Sequence, residues 1–163
     1  MTKLGMCIRF NETDVRNTGR TSMGVIGMNL TPGDEVIGMQ LDSQGTDLLI
    51  VSEKGMGKRT DMEEFTQQRR GGKGRIAAKL KDEDYIVNIT VANTHDYLMC
   101  FTSKGRCFVT KVYDLPTSEN RTWKGRPVQN LFNIEEGERI TAMLPISEFD
   151  EDSYFFYATE LGR

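Results

Sequence analysis

The stretch Gln68-Arg69-Arg70-Gly71-Gly72-Lys73-Gly74 puts three cations and three glycines into seven residues. That pattern suits an anion. A guanidinium can grip a phosphate through two parallel hydrogen bonds, and a lysine adds a mobile point charge. Glycine lets the main chain come close to a ligand and take up positive φ angles. The spacing is not that of a nucleotide-binding P-loop, because G-x-x-x-x-G-K-[ST] is absent. A basic glycine-rich loop is either a phosphate or nucleic-acid contact or a solvated loop with no partner. Composition leaves both readings open.

The remaining reactive residue types form no catalytic constellation. Cys7, Cys100 and Cys107 are odd in number and contain no CxxC pair, and His95 is the single histidine. Neither a disulfide framework nor a zinc site follows, and the thiols are expected to pack as small apolar residues in a reducing compartment. His95 lies in the polar run Asn93-Thr94-His95-Asp96, which reads as a turn. Asp82-Glu83-Asp84 reads as an acidic turn rather than a metal or acid–base cluster. None of Tyr85, Tyr97, Tyr113, Tyr154 and Tyr157 sits in the arginine and carboxylate pattern of a strand-cleaving site. Trp123, between Arg121 and Lys124, is expected to anchor a sheet edge or to touch a sugar-phosphate backbone. No catalytic residue, metal ligand or cofactor is expected.

Charge sharpens the first observation. The net charge is -3, yet Thr66 to Lys81 carries Arg69, Arg70, Lys73, Arg75, Lys79 and Lys81 with no acid. Asn133 to Glu160 carries Glu135, Glu136, Glu138, Glu148, Asp150, Glu151, Asp152 and Glu160 against Arg139 alone. A chain segregated in this way can present a basic face whatever its total charge. No apolar run approaches the roughly 18–20 residues that span a bilayer, and Met1 to Gly5 has no signal pattern. A cytoplasmic protein with no membrane partner is expected.

The elements that must position these residues repeat. Thr2-Lys3-Leu4-Gly5, Ser52-Glu53-Lys54-Gly55 and Thr102-Ser103-Lys104-Gly105 are polar turns 50 residues apart, and Thr159-Glu160-Leu161-Gly162 follows after 57. Behind the first three come short β-prone runs, Met6 to Phe10, Met56 to Thr60 and Arg106 to Thr110. Gly24, Gly74 and Gly125 each close a basic or polar loop, and strands are expected at Val25 to Leu30, Arg75 to Leu80 and Arg126 to Phe132. Acidic turns at Pro32-Gly33-Asp34, Asp82-Glu83-Asp84 and Glu136-Gly137-Glu138 then lead into Val36-Ile37, Ile86-Val87 and Ile140-Thr141. Leu48 to Val51 and Tyr97 to Phe101 are compact apolar runs, each the first arm of a hairpin. Sixteen glycines in 163 residues fit so many turns. Four strands per fifty residues, repeated radially, predict an all-β, propeller-like fold; a β-sandwich with chance periodicity is the alternative. The expected organisation is one repeat domain over 1–163, with units at about 4–47, 48–96 and 97–152 and a further first strand in 153–163.

Read with its flanks, Gln68 to Gly74 resembles the box motif Q-R-R-G-G-K-G of the C-terminal domain of the DNA gyrase A protein. Val91 to Asp96, Gly125 to Val128, Val15-Arg16, Gly19-Arg20 and Gly24-Val25 resemble the same family. The resemblance implies a β-pinwheel, a disc of four-stranded blades that exchange strands with their neighbours. It also implies a non-catalytic module whose basic rim bends and wraps duplex DNA in support of negative supercoiling. Family members carry five or six blades with the box in the first, whereas about three units stand here and the box lies in the second.

The expected DNA contacts are Gln68, Arg69, Arg70, Gly71, Gly72, Lys73 and Gly74, with Arg20, Arg75, Lys124 and Arg126, all to the backbone and none to base edges. The expected partners are duplex DNA without sequence preference and, in the parent enzyme, gyrase B together with the remainder of gyrase A. A nucleoid-associated location follows. The competing reading is a propeller-like protein-interaction scaffold with no DNA role. Tyr154 to Ala158 and Met6 to Phe10 read as complementary hairpin arms, which suggests a homodimer through terminal strands.

Overall fold

The computed structural model describes residues 1–81, 83–117 and 125–159. Its strands are β1 (Met6–Cys7), β2 (Asp47–Ser52), β3 (Met56–Asp61), β4 (Arg75–Ile76), β5 (Ile86–Ala92), β6 (Tyr97–Thr102), β7 (Cys107–Lys111), β8 (Arg126–Pro127) and β9 (Ile140–Ile146). All pairings between them are antiparallel, and no α-helix occurs among the described residues. The fold is all-β.

The central sheet shows how a blade is made. β2 and β3 form a hairpin whose turn ends at Gly55, held at φ +73°. β5 returns along the other edge of β2, with a bulge between Val51 and Ser52. The fourth strand comes from the next unit: β8 pairs with β3, Arg126 opposite Gly57 and Pro127 opposite Met56. One joint earlier, β4 pairs with β1, Arg75 opposite Cys7 and Ile76 opposite Met6. Each unit thus lends a short strand to the unit before it. The third sheet, in the order β7-β6-β9, has no fourth strand among the described residues.

All six residues of β2 are buried, because the strand sits between two cores. Side chains alternate across a strand. Leu48 and Ile50 therefore meet Met1, Phe65, Ala77, Ala78, Ile86 and Val91 on one side. Leu49 and Val51 meet Ala92, Leu98, Cys100, Val112, Val128, Phe132 and Ile140 on the other. Burying each of the large aliphatic side chains contributes about 1.5–3 kcal/mol.

A repeated polar lock fixes the hairpins. The hydroxyls of Thr2, Ser52 and Thr102 accept from the amides of Met6, Met56 and Arg106 at 3.1, 3.1 and 3.3 Å. Ser52 then donates to Asp84 at 2.8 Å, and Thr102 donates to Glu138. Asp84 is buried and also accepts from the amides of Lys54 and Tyr85. Glu138, buried as well, accepts from the Arg106 guanidinium; that contact, with the hydroxyl of Thr102, holds its carboxyl down to about 2. The acidic turn expected at Asp82 to Asp84 is therefore a structural tie at Asp84; Asp82 lies outside the described residues.

Other expectations change too. The strands expected after Gly74 and Gly125 shrink to two residues each, and Val25 to Leu30 forms none. Only the residues that face the preceding hairpin find ladder partners. Val36 makes a single bridge, to Thr2. Cys100 is buried, with its thiol pushed up to about 12 by that burial, and Cys7 is half-buried, but Cys107 is exposed on β7. Its strand edge carries no neighbour to cover it among the described residues. Tyr154 to Ala158 forms no strand; Tyr154 and Phe156 are exposed, and the Tyr157 ring meets Phe101 edge-on at 5.1 Å.

Candidate nucleic-acid interface

Gln68 to Gly74 leaves the 3-10 turn Met62–Glu64 and ends at β4. It is laid as a strap across the first unit. The Gln68 amide donates to the Arg9 carbonyl at 2.8 Å and the Gly71 amide to the Gly27 carbonyl at 2.9 Å. The Asn29 amide donates back to the Gly72 carbonyl at 2.9 Å. Gly71 and Gly74 take φ +82° and +74°. At Gly74 a Cβ would stand 2.5 Å from the Cys7 carbonyl oxygen, so this glycine is required by both conformation and space.

The three cations of the strap diverge. Arg70 is half-buried, its Nε donating to the Asp14 carbonyl at 3.1 Å and an Nη to the Ile26 carbonyl at 2.5 Å. It pins the loop to the first unit. Arg69 and Lys73 are exposed, as is Arg75 on β4. Arg20, exposed, stands 50 residues before Arg70 in a loop that runs directly into the Ile26–Gly27 segment under the strap. Arg126 on β8 is exposed but engaged within the protein. Lys124, with Arg121 and Trp123, lies outside the described residues.

Ion pairing divides the basic residues into two groups. Lys3 pairs with Glu35, Arg9 with Asp42, Arg59 with Asp47, Lys104 and Arg106 with Glu135 and Glu138, and Arg139 with Glu53. In the acidic C-terminal stretch, Glu135 and Glu138 pair with the neighbouring Lys104 and Arg106. Among the described residues, none of Arg69, Arg70, Lys73, Arg75, Lys79 and Lys81 has a carboxylate within ion-pair distance. The stretch therefore keeps its positive potential.

The sequence singled out the strap by residue type but not the acceptors that hold it. Those are main-chain carbonyls of Arg9, Asp14, Ile26 and Gly27, groups that every residue carries. Lys79 and Lys81, just past β4, are exposed and unpaired among the described residues and extend the basic surface. His95 is exposed in its turn, its carbonyl accepting from Lys111. No cluster of three or more His, Cys, Asp or Glu side chains is placed to hold a metal among the described residues. No helix there is long and apolar enough to cross a membrane.

The family model for the DNA gyrase C-terminal domain, beta-propeller, matches residues 1–41, 46–93 and 96–147. The DNA gyrase A protein of Neisseria gonorrhoeae is 44% identical over 130 residues, 80% of this chain and 14% of that protein. The Escherichia coli K12 protein of the same name is 47% identical over 115 residues, 71% of this chain and 13% of its own length. The chain therefore spans about a seventh of these relatives. A solved DNA gyrase A C-terminal domain superposes with a TM-score of 0.76 at 24% identity, covering 89% of this chain and 48% of that one. The C-terminal domain of DNA topoisomerase IV gives 0.72 at 24% identity, covering 89% and 45%. Both likenesses speak for the fold. By sequence and architecture together, the chain belongs to the DNA gyrase C-terminal domain family.

Proposed function

We propose that this chain is a non-catalytic module that bends and wraps duplex DNA across its basic strap, in support of negative supercoiling by a DNA gyrase. The observation that carries the reading is the run of six cations from Arg69 to Lys81 with no carboxylate partner among the described residues. Arg69, Lys73 and Arg75 reach phosphates directly. Arg70, with Gln68 and the glycines, shapes the strap that presents them. Arg20 and Arg126, with Lys124, extend the path along neighbouring units. The contacts are to the backbone, so binding ignores base sequence. The wider partners in this reading are gyrase B and the rest of a gyrase A protein, and the setting is the nucleoid.

Salt titration of binding to random-sequence duplex tests this. Each phosphate neutralised contributes about 0.9 to the log–log salt slope. The Arg69→Ala/Lys73→Ala double variant should bind all sequences more weakly and flatten the slope by about two. Negligible binding at physiological salt would instead favour the interaction scaffold, and an unchanged slope would remove the strap from the DNA surface.

A further inference from the structure

Arg69 is bracketed by two contacts with one short segment of the first unit. On one side the Gln68 amide lies on the Arg9 carbonyl; on the other the Arg70 Nε lies on the Asp14 carbonyl. Between these two carbonyls the Asn11 side chain accepts from the amide and the hydroxyl of Thr13, at 2.9 and 2.8 Å. That cap fixes the 3-10 turn Glu12–Asp14. Residues 9–14 are the seat of Arg69.

The Arg9 side chain ties this seat to the base of the strap. One terminal nitrogen donates to the carbonyls of both Met62 and Phe65, each at 3.2 Å. Its Nε and its other terminal nitrogen donate to one oxygen of Asp42, at 3.0 and 2.8 Å. Four of the five N–H groups of a guanidinium are thereby used inside the protein. The Phe65 ring is buried in the core with Leu48 and Ile50, so the turn that Arg9 grips is fixed from within.

The next unit repeats the arrangement. Arg59, 50 residues on, gives its amide to the Pro116 carbonyl at 2.9 Å and a terminal nitrogen to the Thr117 hydroxyl at 2.5 Å. Its carboxylate partner is Asp47. In both units an arginine on or just past the second hairpin strand, held by an aspartate, takes the chain where it enters the following loop.

We propose that Arg9 is a positioning residue for the strap: it sets where Arg69 and Lys73 are presented and does not itself touch nucleic acid. Its effect on DNA rests on the function proposed above; its effect on the strap does not. With Asp42 on one edge and two carbonyls on the other, Arg9 has no free fork for a phosphate. A lysine keeps the charge but has no planar fork to reach both sides at once.

Hydrogen exchange tests the cause without DNA. In Arg9→Ala the amides of Gln68 and Gly71 should exchange about tenfold faster, the factor expected when charge-assisted hydrogen bonds are lost. The amides of Leu49 and Ile50 in β2 should keep their rates, because the loss is local. Salt-matched titration with random-sequence duplex tests the consequence. Affinity should fall about fivefold, the order of one weakened phosphate contact, and Arg9→Lys should not restore it. Asp42→Ala separates position from charge. Removing a carboxylate makes the chain more positive, which by itself tightens DNA binding; losing the hold on Arg9 weakens it. Weaker binding is the expected result. A far-UV spectrum matching the unmodified chain shows that each variant is folded. Should Arg9→Ala fail to fold, Asp42→Ala, at an exposed residue, carries the same two readouts. Equal quickening in the strap and β2 overturns the proposal, as does restored binding in Arg9→Lys or unweakened binding in Asp42→Ala. If the unmodified chain binds no duplex, the DNA function falls, and the exchange rates still decide whether Arg9 sets the strap.

Discussion

Arg69 and Arg70 are neighbours in sequence with different tasks. Arg70 spends Nε and one Nη on the carbonyls of Asp14 and Ile26, while Arg69 is exposed. Hydrogen bonds from a charged donor contribute about 1.5–3 kcal/mol when well shielded, and less at a half-buried site. Arg70→Ala should therefore lower stability by about 1–2 kcal/mol in urea unfolding, where Arg69→Ala stays within about 0.5 kcal/mol. Arg70→Lys should not rescue it, because an ammonium cannot span two carbonyls as a planar fork does. Glu138 gives the pH counterpart. Its carboxyl is held down to about 2 by Arg106 and Thr102, below its ordinary value of 4.5. A depressed carboxylate stabilises the fold above its unfolded pKa, and that stability is lost as pH falls toward the folded one. Urea midpoints of the unmodified chain and Glu138→Gln should differ at neutral pH and converge as pH drops from about 4.5 to about 2. Equal midpoints at neutral pH would show that the charge does not matter there. The sequence displayed both ends of this lock, the threonine of one turn and the acid of another, without showing that they meet.

At the level of elements, the hairpins were legible, and so were the starts of the lent strands at Arg75 and Arg126, but not their short length or their partners. Leu48 to Val51 and Tyr97 to Phe101 announced themselves as continuous apolar runs. β2 and β6 lie there, β2 longer by one residue at each end and β6 by one at its C-terminal end. β4 and β8 are two residues long, and their ladder partners lie 68 or more residues away in sequence. No local pattern encodes such a pairing; what marks it is the glycine in front. Gly74 and Gly125 combine positive φ with a Cβ position 2.5 and 2.6 Å from a carbonyl oxygen of the receiving strand. Gly137 has φ +75° and open space around it. Replacement by alanine at Gly137 should cost only the left-handed backbone penalty, about 1–2 kcal/mol. At Gly74 or Gly125 the same change must also push two strands apart, and the loss should exceed that at Gly137 by at least about 1 kcal/mol. Equal losses at the three glycines, read from denaturant midpoints, would mean that the lent strands are not held tightly.

For the whole molecule, the proposed DNA reading raises the question of what a row of joined units does to a duplex that one loop would not. The strap lies on the Ile26–Gly27 segment of the preceding unit, so the loop bearing Arg69 and Lys73 and the loop bearing Arg20 are joined through main-chain bonds. Cations fixed on a chain of such joints present phosphate sites along a curve rather than at a point. Bending 20–30 base pairs by 40–90° costs on the order of 1–6 kcal/mol, offset by the added phosphate contacts. A duplex already bent removes that cost. Binding to intrinsically curved DNA should therefore be about tenfold tighter than to straight DNA of equal length and charge, since each 1.4 kcal/mol is a factor of ten. Arg69→Ala/Lys73→Ala should lose most of the preference along with the affinity, because fewer anchored phosphates reward the curve less. The comparison is a competition between the two duplexes at one salt concentration. Equal affinity for both would leave a basic strap that binds DNA without bending it.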